Sequence, residues 1–507
     1  MKQQTTHEEK FDEFKLEQEM VEDANIPEGR LREPDVNFTP EEEAKLYRKV
    51  DWRILPILAL LYLLSFMDRG AIGNARLSGL ERDLGLSAQQ YATCLSLFFI
   101  TYFLFEIPSN LALTKIRPRY WLAFITLGWG IAMTLSGIVK NYAGLAICRT
   151  ILGAFEAGLF PGVSLYLSFF YPRFIYQRRL AIFFSAATMA GAFAGLLAYG
   201  ISFMAGTAGL GGWAWIFIIM GLLTVLAGGL AFFCVSDVPA KAKWLTEDER
   251  AWLVWRKASD GSSVGEAEGL HVAQIKSAFT DYHCWVALFF YISILVPLYS
   301  VGLFAPTLIN SFGKWTRAEV QLLTVPMYVF ACAYVLITSV YADRYRTRFP
   351  FLLAAQVLCL IGFTINIIPT APVGVKFFGL FLCAAGAYGG VPSMISWLST
   401  NLSGTTKRAV GTGLTLGVGS LGGIISSNVY RTVDAPKYLL GHGVLIATSF
   451  MGIIASCVYA FLLKRSNAAK DRWHAEQNAL PEHQRKVFTV QELRDMGDRA
   501  PEFYYTI

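Results

Sequence analysis

The chain of 507 residues is 54% hydrophobic and 16% charged, with a mean hydropathy of +0.42, whereas a typical soluble domain carries about 25% charge. That composition excludes an ordinary soluble protein. The net charge of +6 hides a split: the first 53 residues hold 15 acids and 9 bases, and the positive excess lies downstream, dispersed between apolar runs rather than gathered on one soluble face as nucleic-acid binding requires.

A helix needs about 20 apolar residues to cross a bilayer, and twelve such runs follow one another. After a polar head at 1–51, spans 1 to 6 are expected near 54–72, 90–112, 121–139, 142–170, 180–204 and 213–235. A polar middle loop at 236–283 follows. Spans 7 to 12 are expected near 285–312, 320–341, 350–369, 375–399, 409–430 and 442–463, ahead of a polar tail at 464–507. The reading is an all-α integral membrane protein with 12 transmembrane helices in two six-helix bundles, 52–235 and 284–463. An even number of crossings puts both tails on one side. The loops after spans 2, 4, 8 and 10 contain eleven Lys or Arg and the middle loop six more, so these segments and both tails are expected in the cytosol. No apolar stretch precedes residue 54, and no cleaved signal peptide is expected.

The eight cysteines fall inside or at the edges of apolar runs and read as small hydrophobes. No histidine pairs with them at metal-ligand spacing. No metal site and no cofactor is expected. The sequons at Asn37 and Asn401 fall on the cytosolic side of this topology, where glycosylation does not occur. Within the middle loop, Trp244, Thr246 and the run Glu247 to Arg250 suggest a short surface helix, followed by a flexible Gly261-Ser262-Ser263 stretch. Glycines concentrate in span 5 (Gly191, Gly195) and span 11 (Gly411, Gly413, Gly417, Gly419, Gly422, Gly423), where small residues permit close or sliding helix contacts.

A charge at the bilayer centre costs at least about 2.5 kcal/mol, so the few intramembrane ionisable residues are informative. Asp68 and Arg69 lie deep in span 1. Arg149 and Glu156 lie in span 4, seven residues apart and thus on one helical face. An arginine offers a planar fork to a carboxylate, and a buried carboxylic acid can bind a proton, so the set suits coupled binding of an anion and a proton in one cavity. Ion pairs that merely hold helices together are the alternative. Glu106, near the end of span 2, is expected to meet the basic loop Lys115 to Arg119 as a gate or lock, with substrate contact as the second reading. Asp343, Arg344 and Arg348 at the end of span 8 suit ion pairs that hold one closed state, or a solvated basic loop. Tyr102, Tyr299, Asn310, Tyr388 and Trp397 are placed to line a cavity, or else to fill the core.

Several strings are recognisable. Asp68-Arg69, Ile72-Gly73-Asn74-Ala75-Arg76, Asp83-Leu84-Gly85-Leu86 and Phe105-Glu106-Ile107-Pro108-Ser109-Asn110 are joined by Arg149 with Gly153, Glu156, Gly158 and Pro161. Further along come Ala190-Gly191-Ala192-Phe193 and Gly195, Gly212-Trp213-Ala214-Trp215, Phe304-Ala305-Pro306-Thr307, Asp343-Arg344, and Tyr430 with Asp434-Ala435-Pro436. Together they resemble the anion:cation symporter family of the major facilitator superfamily, most of all its fungal branch of allantoate, nicotinate and pantothenate permeases. The resemblance spans nearly all of residues 50–465. It implies proton-driven uptake of a small organic anion across the plasma membrane by alternating access, with Asp68 and Glu156 coupling protons and Arg69 and Arg149 binding the carboxylate. The chain departs from the family at Ala71 and Ser420, where an Asn is common.

The expected function is therefore import of a carboxylate such as nicotinate, allantoate or another vitamin or ureido acid, together with protons. The partners are the substrate anion, protons and the lipid bilayer, with the chain acting as a monomer. An exporter of a secondary metabolite and a nutrient-sensing receptor with little flux are the rival readings. No nucleophile, base and oxyanion set marks an enzyme.

Overall fold

The computed structural model describes residues 38–258, 277–345, 347–403, 405–481, 486, 488, 492 and 496–507. All regular structure among them is helical. Span 1 begins well before its apolar run, because Thr39 caps the helix Pro40–Leu77: its side chain accepts from the Glu42 backbone while the Glu42 carboxylate takes the Thr39 N–H at 2.9 Å. The Asn37 of that sequon lies outside the described residues, and its Thr39 is occupied as the cap.

Span 2 is Ala88–Lys115, span 3 Pro118–Ser136, span 5 Arg173–Ser202 and span 6 Gly212–Cys234. In the second half, spans 7 to 10 are Tyr282–Phe312, Arg317–Tyr345, Phe349–Ile367 and Val373–Asn401, and span 12 is Leu439–Ala479. Eleven described helical segments are long and apolar enough to cross a membrane. Pro118–Ser136 makes the twelfth crossing; its opening Pro118-Arg119-Tyr120 dilutes an otherwise apolar helix packed between spans 4 and 6. The protein is a multi-pass membrane protein of two six-helix bundles.

Two crossings are broken. Span 4 runs as Tyr142–Glu156 and Leu159–Phe170, and span 11 as Thr405–Ser420 and Gly422–Val429. In span 4 the break follows Glu156 directly. Pro161 has no N–H to return to the Ala157 carbonyl, and Gly158 lies where any Cβ would strike the Ser109 side chain of span 2.

Within the first bundle span 1 packs on spans 5 and 6, span 3 on spans 4 and 6, and span 2 on span 4; within the second, span 7 packs on spans 10, 11 and 12 and span 9 on spans 10 and 12. The bundles meet where span 1 touches span 7, span 2 touches span 11 and span 5 touches span 8. Toward the side away from the termini these contacts are close. A Cβ at Gly73 would collide with the Leu303 carbonyl, one at Gly191 would come 2.5 Å from the Tyr328 ring, and one at Gly423 would collide with Phe99. Glycine thus sits at several contacts across the seam, while Gly411, Gly419 and Gly422 of span 11 face span 7 within the second bundle. Spans 7 and 10 are the most enclosed, with 72% and 78% of their apolar windows buried against 33% for span 12, and both face the seam.

Thr246 caps the surface helix Glu247–Ala258 through mutual bonds with Glu249, at 2.9 Å to its backbone N–H. Lys49–Glu249 at 2.7 Å and Arg256–Glu43 at 3.0 Å fasten this helix to the start of span 1. Gly261, Ser262 and Ser263 lie outside the described residues. The tail is not simply a polar extension. Span 12 continues to Ala479, and residues 496–507 fold back onto the ends of spans 7, 10 and 11. Asn401, the other sequon residue, is fully buried there and exchanges bonds with the Thr506 backbone at 2.8 and 3.0 Å.

Candidate substrate and proton site

Tyr62, Ser65, Phe66 and Arg69 recur at helical spacing and share one face of span 1. That face looks into the seam. Asp68, one residue earlier, is turned by about 100° and points instead toward spans 3 and 6. The difference decides which charges meet.

Arg69 Nη2 and Nε donate to Glu156 Oε1 at 2.6 and 3.2 Å, and Ser65 Oγ donates to the same oxygen at 2.5 Å. Arg69 Nη1 reaches the Tyr299 hydroxyl of span 7 at 3.3 Å, across the seam. Four rings surround the guanidinium, with the centroids of Phe66, Phe98, Tyr102 and Tyr299 between 4.9 and 5.6 Å from Cζ. Glu156 is fully buried, and its second oxygen, Oε2, has no hydrogen-bond partner. A planar cation held over ring faces and gripped by one carboxylate oxygen is a strong, geometrically specific arrangement.

The expected partition therefore changes. Neither Asp68 with Arg69 nor Arg149 with Glu156 forms a pair; Arg69 pairs with Glu156. Asp68 Oδ2 accepts from Thr224 Oγ1 at 2.7 Å and Trp129 Nε1 at 3.2 Å, while Oδ1 lacks a partner. Arg149 lies 5.5 Å over the Phe217 ring, its Nε and Nη2 without hydrogen bonds, within electrostatic reach of Asp68 and Glu156. Asp68 and Arg149 form a second buried layer behind the wall, so Arg149 does not face the cavity that an anion would enter.

Two cavities adjoin at Arg69, which lines both together with Phe66, Leu298 and Tyr299. The one nearer the termini is walled by Ser65, Tyr102, Glu106, Glu156, Tyr291 and Ser420. The other is walled by Asn74, Gly191, Thr324, Tyr328 and Tyr388. Tyr102, Tyr299 and Tyr388 thus take cavity positions. Asn310 does not: it is exposed near the end of span 7. Nor does Trp397, which packs against Phe290 and Tyr459 and donates from Nε1 to the Thr506 carbonyl at 2.9 Å, because its turn of span 10 lies close to the helix end at Asn401.

Glu106 is also corrected. No described base of the loop reaches it. Lys115 is nine residues further along the helix, about 13 Å at 1.5 Å per residue, and Arg119 is engaged with the Phe232 carbonyl at 2.5 Å. The Glu106 side chain is buried on the cavity wall instead. Of the proposed span 8 gate, Asp343 lies outside the described side chains and Arg344 is exposed, while Arg348 is buried, its backbone N–H donating to the Ile507 carbonyl at 3.2 Å. The last residues of the chain cover that position.

Ser65, Phe66, Tyr291, Thr324 and Tyr328 were not singled out from the sequence. Helical spacing from Arg69 identifies Ser65 and Phe66, and spacing from Tyr299 identifies Tyr291; Thr324 and Tyr328 carry no signal beyond their place in span 8. Ser420 lies on the wall whereas Ala71 is buried and lines neither cavity, so of the two departures only Ser420 changes the cavity lining. Among the described residues no group of His, Cys, Asp and Glu is arranged to hold a metal ion.

The sequence profile of the Major Facilitator Superfamily matches residues 58–427. An MFS-type transporter of Penicillium expansum, cnsO, is 35% identical over 93% of this chain and 92% of its own. The high-affinity nicotinic acid transporter of Saccharomyces cerevisiae is 31% identical over 91% of this chain and 85% of its own. In fold, a bacterial homologue of the human lysosomal transporter Spinster, in an inward-facing and occupied conformation, superposes with a TM-score of 0.61 over 85% of this chain and 98% of its own, at 15% identity. The chain thus belongs to the Major Facilitator Superfamily, a family of transporters and not of enzymes.

Proposed function

We propose that the protein imports a small organic carboxylate of the nicotinate or ureido-acid type together with protons, by alternating access at the plasma membrane with both termini cytosolic. One observation carries the reading. Arg69 is the only base on either cavity wall among the described residues, and Glu156 already holds it.

An anion can take the guanidinium only when Glu156 lets go. Protonating Glu156 removes its charge and frees the fork for the substrate carboxylate, so proton and anion enter as a neutral pair. When the proton leaves, Glu156 recaptures Arg69 and expels the anion. Asp68, with its unbonded Oδ1 and within electrostatic reach of Arg149, is the second proton carrier in this scheme, and Arg149 balances it from behind the wall. Tyr102, Tyr299 and Tyr388 line the substrate path. The moving bodies are the bundles 52–235 and 284–463, rocking at the glycine seam. The name of the yeast nicotinic acid transporter supports the substrate class.

Uptake of labelled nicotinate, pantothenate and allantoate into cells lacking their own permeases, in mildly acidic and neutral medium with and without a protonophore, tests the proposal. Accumulation of one compound that collapses with the protonophore is expected. Outward flux, or binding without flux, contradicts it.

A further inference from the structure

Among the described residues Glu106 has no hydrogen-bond or ion-pair partner. Its side chain is 4% exposed and lies on the same wall as Arg69 and Glu156, yet Oε2 is shielded from solvent without a hydrogen bond and no described cation forms an ion pair with it. The two other buried carboxylates of this region are both engaged: Glu156 by Arg69 and Ser65, Asp68 by Thr224 and Trp129. Directly across the seam from Glu106 is Gly417 of span 11, where a side chain would begin 3.5 Å from Oε2. The protein leaves that carboxyl facing bare backbone.

The charges on the wall do not balance for a plain anion. One cation, Arg69, faces two carboxylates, Glu106 and Glu156. A substrate carboxylate on Arg69 satisfies the cation and leaves Glu106 with a buried oxygen bonded to no described group, which is costly for any buried polar group. A substrate that also brings a hydrogen-bond-donating nitrogen completes the set. We propose that Glu106 is the second substrate anchor and that the cargo is amphoteric: a carboxylate at one end, seated on Arg69, and an ammonium, ureido N–H or protonated ring nitrogen at the other, seated on Glu106. This rests on the reading of Arg69 as the carboxylate site and adds to it the residue that takes the nitrogen end of such an acid.

Matched pairs separate the two claims. Uptake of N-carbamoylglycine is compared with that of levulinate, its isostere with carbon in place of both nitrogens, and nicotinate with benzoate. The nitrogen-bearing member of at least one pair is expected to enter at least about tenfold faster, a lower bound on what a site that pairs a substrate N–H achieves. Glu106→Leu, which removes the acceptor, is expected to bring that ratio close to one. Gly417→Ser supplies Glu106 with a hydroxyl from the protein and is expected to reduce the ratio too, with Arg69 untouched. Equal uptake of both members of each pair by the unmodified protein overturns the role of Glu106 and leaves carboxylate import standing. So does a ratio unchanged in both variants, provided each reaches the membrane. No uptake of any of the four compounds, with the protein at the cell surface, overturns both.

Discussion

Arg69 and Glu156 are joined between spans 1 and 4 by a 2.6 Å contact from Nη2 to Oε1, and the same guanidinium reaches Tyr299 of span 7. One cation therefore touches both bundles. In the proposed mechanism its partner changes with protonation, which would link binding and bundle movement through a single side chain.

The fork geometry matters for that link. Arg69→Lys keeps the charge but offers a compact ammonium that cannot span Glu156 Oε1 and the Tyr299 hydroxyl together. Uptake is expected to fall roughly 10- to 100-fold, the loss of one charge-assisted hydrogen bond, with the change in KM. Initial rates across a range of substrate concentrations check this; an unchanged KM contradicts it.

Asp68 sits behind the wall, so its substitution should separate binding from coupling. Asn in its place still accepts from Thr224 and Trp129 but carries no exchangeable carboxyl proton. Asp68→Asn is expected to leave equilibrium binding of the labelled anion unchanged while abolishing accumulation against a gradient. Parallel binding and uptake assays on one preparation decide it.

The seam between bundles has no spare room at Gly73. Its Cα faces the Leu303 carbonyl so closely that any Cβ must displace backbone, and backbone does not yield as a flexible side chain does. Gly73→Ala is expected to prop spans 1 and 7 apart on the side away from the termini and to slow substrate exchange, with the anion still binding. Counterflow measured beside equilibrium binding tests it.

The returning tail makes a stability prediction. Lys407 lies between Asp281 and Asp498, at 2.5 Å from Asp498 Oδ1, all three buried. Burial alone raises the Asp281 carboxyl, but the Lys407 ammonium and the His283 backbone N–H outweigh it and hold it below its ordinary value. Burial likewise lowers Lys407, and the two carboxylates outweigh it and hold the ammonium above its ordinary value. The Asp281 contribution is thus present above the ordinary carboxylate range and lost only in strong acid; that of Lys407 is present below the ordinary ammonium range and lost only in strong base. Asp281 and Lys407 thus keep their charges across the physiological range. Lys407→Met leaves two facing carboxylates and is expected to cost about 3–5 kcal/mol, read as a lower thermal unfolding midpoint, with part of the loss recovered in mild acid.

The crossings were legible because the bilayer imposes one length and one composition on every helix. The charges inside them were legible for the same reason: four costly residues had to be accommodated, and Arg69 and Glu156 do meet. Their pairing was harder to read. Asp68 and Arg69 are neighbours in sequence and therefore sit on different faces, which the helical period alone indicates, whereas Arg149 and Glu156 share one face of a single unbroken helix and differ only in depth, by about 10 Å at 1.5 Å per residue, which their spacing does not rank. Trp397 and Asn401 carried no sign of their role, because the backbone they bind, that of Thr506, lies 109 and 105 residues away. The isolation of Glu106 was equally hidden, since a missing partner is a property of the assembled wall.

The most direct test of the account is uptake by Glu156→Gln. Without an ionisable group at this position Arg69 stays free for the anion at neutral pH, so the variant is expected to bind and exchange substrate without acid and to lose all protonophore-sensitive accumulation. Accumulation that still rises in acid and collapses with the protonophore, as in the unmodified protein, would contradict the claim that Glu156 trades Arg69 for a proton.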